Sequence, residues 1–87
     1  MNIDTSFLFQ LSGVLSSYQQ HQTDLDLKKL VKAIYEEDVV SSQSLATKID
    51  PAITPFSKGD GFGKRLYEQW VELKQHLLSI PVQTELF

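Results

Sequence analysis

Apolar side chains recur at three- and four-residue steps in four stretches of the chain, separated by polar or Pro/Gly-bearing breaks. In the first stretch, residues 7–18, Leu8, Leu11, Leu15 and Tyr18 form a helical stripe that Phe7 and Val14 widen. Asp4, Thr5 and Ser6 can each cap its start by accepting an orphan backbone N–H. Gly13 inside it costs about 1 kcal/mol relative to alanine, which points to a close backbone approach. The polar run 19–22 predicts fraying. Thr23 with Asp26 then resembles a capping box, opening a second helix with Leu27, Leu30, Val31 and Ile34 on one face. Asp24 and Lys28 form a supportive i,i+4 pair there, and Glu36, Glu37 and Asp38 mark the helix stop and an acidic corner.

Val39-Val40 is too short for a strand. Ser41 or Ser42 can cap a short third helix bearing Leu45, Ala46 and Ile49, and Asp50-Pro51 is expected to end it because the residue before proline avoids the α region. Residues 51–63 hold two prolines and three glycines and read as a loop. The last stripe is the most regular: Leu66, Trp70, Leu73, Leu77 and Ile80, widened by Tyr67, Val71 and Leu78 and stopped by Pro81. The pattern predicts an all-α fold, a three- or four-helix bundle over 1–80 whose first and last helices do most of the packing. An extended peptide tail, 81–87, follows it.

Composition narrows the function. With 87 residues, no cysteine and a net charge of −3, this is one small domain whose isolated stability is marginal and which gains from a partner. The absence of cysteine excludes a disulfide scaffold and a thiolate zinc site and favours a cytoplasmic setting. No apolar run approaches the roughly 18 residues of a membrane span, and the N-terminus lacks a signal peptide's positive region. Enzyme chemistry finds little to work with. His21 and His76 stand alone, without metal-binding spacing, and no nucleophile with a positioned base can be assembled. Most carboxylates fall on predicted polar faces. No catalytic residue, metal or cofactor is expected.

Binding residues are easier to nominate. Lys58-Gly59-Asp60-Gly61-Phe62-Gly63-Lys64-Arg65 ends like a P-loop but has Lys58 at the first glycine position, Arg65 at the hydroxyl position and no preceding strand. It is not a nucleotide loop. Lys64 and Arg65 nevertheless open a helix, where the macrodipole disfavours cations, and a nucleic-acid phosphate held there with Lys58 would relieve that repulsion. The plain alternative is a hinge whose charges are answered by Asp60 and Glu68. Lys28, Lys29 and Lys32 are neighbours on the second helix and read first as a solvated face, with a local phosphate contact as the alternative. The acidic balance excludes a general nucleic-acid binder. A helix-turn-helix over 30–49 is set aside, because 51–55 is not expected to be helical.

The tail Gln83-Thr84-Glu85-Leu86-Phe87 resembles the short Gln-x-x-Leu-Phe peptides that bind bacterial sliding clamps. That resemblance implies that Gln83 bonds at the groove edge while Leu86 and Phe87 fill an apolar pocket, with Thr84 departing from the common apolar second position. Packing of the tail on this protein's own bundle or on a neighbouring subunit is the alternative. In size, helical pattern and the opening Phe7-Leu8-Phe9-Gln10-Leu11, the body resembles the small helical subunits of class 1 CRISPR effector complexes. This implies a non-catalytic protomer, in several copies, that packs against other protein subunits of a defence assembly. It would touch RNA or DNA backbone through Lys28, Lys29, Lys64 and Arg65. Its rival is a tailed adaptor or inhibitor acting through residues 83–87 on a partner's groove.

Overall fold

The computed structural model describes residues 4–59 and 61–81, so the tail positions Gln83, Leu86 and Phe87 lie outside the described residues. Four helices make up the fold: α1 (Ser6–Ser17), α2 (His21–Tyr35), α3 (Val39–Ile53) and α4 (Phe62–Ser79), with a 3-10 helix, Thr54–Lys58, between α3 and α4. No strand occurs among the described residues. Each helix packs on the next and α1 touches α4, whereas α2 and α4 do not meet and stand on a diagonal. The expected dominance of the first and last helices is therefore wrong. The most extensive pairing is α2 with α3, and α1 with α4 is the slightest. The connection 36–38 is too short to let α2 and α3 diverge.

The turns explain why two boundaries differ from expectation. α1 ends at Ser17, and Gln19 takes a left-handed φ of 61° while its N–H bonds Ser16 and that of Gln20 bonds Leu15. This is a Schellman stop built on glutamine, and it returns the chain to a helix at His21. Thr23 consequently lies inside α2 and caps nothing. Glu37, with φ 57°, closes α2 in the same way, as Asp38 N–H reaches Ala33 O at 2.9 Å. Asp38, rather than Ser41 or Ser42, caps α3 by accepting from Ser41 N–H at 3.1 Å, and this bond holds its carboxyl below the ordinary aspartate range. Because the folded value is depressed, the cap's contribution is complete at pH above the ordinary aspartate range and is lost as the pH falls from that range through the lower folded value.

Pro51 does not end α3. The buried stripe Ser42, Ala46, Ile49 and Ile53 runs straight through it. Burying Ile53 outweighs the single N–H that proline removes. Helical structure continues to Lys58, so the loop expected over 51–63 shrinks to the few residues around Gly59 and Gly61, and 51–55 is helical after all. Gly61 has φ 69°, a conformation that glycine adopts at no cost, and this turns the chain into α4.

The core holds Leu8, Leu11 and Leu15 of α1, Leu27, Leu30 and Ile34 of α2, Ala46, Ile49 and Ile53 of α3, and Leu66, Trp70, Leu73 and Leu77 of α4. Two expected core members face outward instead: Tyr18 and Leu78 are exposed. Gly13 is also exposed, and a Cβ there would meet nothing within 4 Å, so no close backbone approach explains it. The helix pairs are stitched by aspartates. Asp24 accepts from Ser12 Oγ, joining α2 to α1, and Asp26 pairs with Lys48 at 3.3 Å, joining α2 to α3. Asp50 accepts from Trp70 Nε1 at 2.9 Å and pairs with Lys74 at 3.2 Å, joining α3 to α4. Gln43 Nε2 donates to the carbonyls of Leu77 and Ile80 and so caps the end of α4 from α3.

Candidate functional site

α1 and α2 are joined by a short turn and packed together, and between them lies a groove of about 600 Å³. Its floor is the buried Leu8 and Leu27, and it is lined by Phe9 and Ser12 of α1, by Lys28, Val31, Lys32 and Tyr35 of α2, and by Glu36 just past the end of α2. Helical spacing sets this lining: 27, 28, 31, 32 and 35 fall on one face of α2, turned partly out of the core. Phe9 is 63% exposed and Tyr35 72%, two large aromatic rings left in water on one concave surface. Isolated exposed apolar residues are ordinary, but aromatic rings gathered on a concave apolar surface are the usual anchors of a protein interface. The polar groups lie on the rim. Lys28 pairs with Asp24 at 3.4 Å and is fixed beside the groove, whereas neither Lys32 nor Glu36 has an ion pair among the described residues.

The cations nominated from sequence fall into two groups. Lys28, Lys29 and Lys32 are exposed on α2. Lys58 ends the 3-10 helix, and Lys64 and Arg65 lie in the first turn of α4, all three exposed and without an ion pair among the described residues. Because α2 contacts neither α4 nor the 3-10 helix, the two groups do not form one continuous surface. A smaller depression of about 330 Å³ lies beside the positions of Lys58 and Lys64, lined by Val14 and Tyr18 of α1 and by Phe56, Gly59 and Gly63. Among the described residues no three His, Cys, Asp or Glu side chains gather as a metal-holding group, and no helix is long and apolar enough to cross a membrane.

Sequence reasoning missed the groove as a site and missed what Asp24, Asp26 and Asp50 do. Phe9 stood out only as part of the opening of the first helix, and Tyr35 was not singled out at all. A signal was available: Leu27, Val31 and Tyr35 continue a second apolar edge beside the core stripe of α2. No family model, curated protein or solved structure matches the chain.

Proposed function

We propose that this chain is a non-catalytic accessory subunit that works by packing the α1–α2 groove against another protein subunit. The observation that carries this reading is the groove itself, with Phe9 and Tyr35 exposed along an apolar trough beside a filled core. Desolvating two aromatic rings and the trough between them is what drives association at such a surface. The test is affinity capture with the C-terminus left untagged, comparing the natural chain with a Phe9→Glu, Tyr35→Glu variant. Both positions are exposed, so the variant is expected to keep its helical circular dichroism and to lose the co-purifying chain. An unchanged set of captured chains from a folded variant contradicts the reading.

A second element of the proposal is that the assembly handles nucleic acid, as the resemblance to class 1 CRISPR small subunits implies. Lys58, Lys64 and Arg65 support it, because all three are exposed, on the 3-10 helix and the first turn of the α4 it touches, without an ion pair among the described residues. Replacing Lys64 and Arg65 together with glutamate is expected to flatten the salt dependence of nucleic-acid association by up to about two units of slope. An unchanged slope removes these residues from any phosphate contact.

A further inference from the structure

Resting on the nucleic-acid reading above, we propose that the face between α1 and the start of α4 binds single-stranded rather than duplex nucleic acid. Bases stack on Tyr18 and Phe62, and Lys58, Lys64 and Arg65 hold phosphates of the same strand. The depression beside Lys58 and Lys64 adjoins another of about 470 Å³, and Val14 and Tyr18 line both. Phe62 lines the larger one from α4. Tyr18 is 68% exposed and Phe62 55%, so two aromatic rings stand in water along one continuous surface.

The charges of this face select an anion. Residues 54–65 carry three cations and one acid, Asp60, in a chain whose net charge is −3. α1 has no charged side chain along its length, so its wall repels no phosphate. The first acid within α4 is Glu68, one turn beyond Lys64 and Arg65 and paired with neither among the described residues. Arg65, three positions from Phe62, falls on the same side of α4, and Lys58 and Lys64 each adjoin a glycine that lines the smaller depression.

The rings decide which form of nucleic acid fits. A duplex offers phosphates but hides its base faces, so Tyr18 and Phe62 would gain nothing from it. A single strand offers both, and each base stacked on an aromatic ring strengthens binding by about tenfold. Three phosphate contacts alone are a weak hold for a chain of net negative charge. Gly13 lines the same depression as Tyr18 and Phe62, and a Cβ there would meet nothing of this chain within 4 Å. Glycine is a poor residue for a helix interior, and here it leaves room for a flat base against the α1 backbone.

The experiment is fluorescence anisotropy, titrating the full chain into a labelled thymidine oligonucleotide of about twelve nucleotides and into the duplex of that length. The single strand is expected to bind about tenfold more tightly than the duplex, or better. Tyr18→Ala with Phe62→Ala is expected to remove that preference and to leave the salt slope unchanged. Circular dichroism checks that this variant keeps its helices. Gly13→Leu is expected to weaken single-strand binding while raising the urea midpoint, which separates lost binding from lost folding. Equal binding of both probes, or binding indifferent to the loss of both rings, overturns the stacking. The phosphate contact then stands on its own if Lys64→Glu with Arg65→Glu still flattens the slope. Polyglutamate that displaces the oligonucleotide at equal charge assigns the face to an acidic protein segment and overturns the proposal. No association with either probe at low salt removes both the stacking and the phosphate contact from this chain.

Discussion

Replacing Trp70 with alanine is expected to remove a large part of the isolated chain's stability. The indole is fully buried in a core drawn from all four helices, and its N–H donates to Asp50 at 2.9 Å. Truncating a buried aromatic to alanine costs about 3–5 kcal/mol in lost transfer energy and residual cavity. A domain of this length has on the order of 4–13 kcal/mol in total. The cavity would open at the α3–α4 contact, where Pro51 already removes one backbone donor and the chain depends on side-chain packing to stay helical. Urea unfolding followed by circular dichroism checks the effect. Trp70→Phe keeps most of the volume and loses only the donor, so its midpoint is expected between those of the natural chain and the alanine variant. An alanine variant with an unshifted midpoint would place the indole outside the core.

The second large effect is expected at Asp50. Its carboxylate receives the indole N–H through one oxygen and Lys74 through the other. Asp50→Ala leaves a buried donor with no acceptor, and an orphaned polar group of that kind costs about 1–3 kcal/mol. The partly exposed pair with Lys74 adds less, because solvent screens it. Asp50→Asn retains an oxygen for the indole and is expected to lose only a minor part of that stability. The coupling is checked by a double-mutant cycle: in a Trp70→Phe background the donor is already gone, so Asp50→Ala is expected to cost distinctly less than it does alone. Equal costs in both backgrounds would show that the bond does not contribute.

These two residues also show what could be read from the chain. Trp70 was legible because α4 follows the helical period without interruption, so its buried face could be picked out from spacing alone. Asp50 was not, because its partners lie 20 and 24 positions away on another helix and only tertiary packing joins them. The same holds for Asp26 with Lys48 and for Asp24 with Ser12. The Asp24–Lys28 pair, being local, was anticipated. Turn positions were misread where an unusual residue does the work of glycine: Gln19 and Glu37 hold left-handed conformations that composition does not advertise. Pro51 misled for the opposite reason. Its bias against the preceding helix is real but small beside the burial of Ile53 two residues on. The groove escaped notice because whether Phe9 and Tyr35 face solvent or core depends on how α1 and α2 are rotated against each other, which no local pattern states.

The claim that this groove is the working surface is tested most directly by photo-crosslinking in living cells, with a benzophenone side chain placed at one position at a time. Position 9 and position 35 are expected to yield the same discrete adduct, while the exposed Leu78 on the diagonal helix yields none. Adducts from position 78 with none from 9 or 35 would contradict the account.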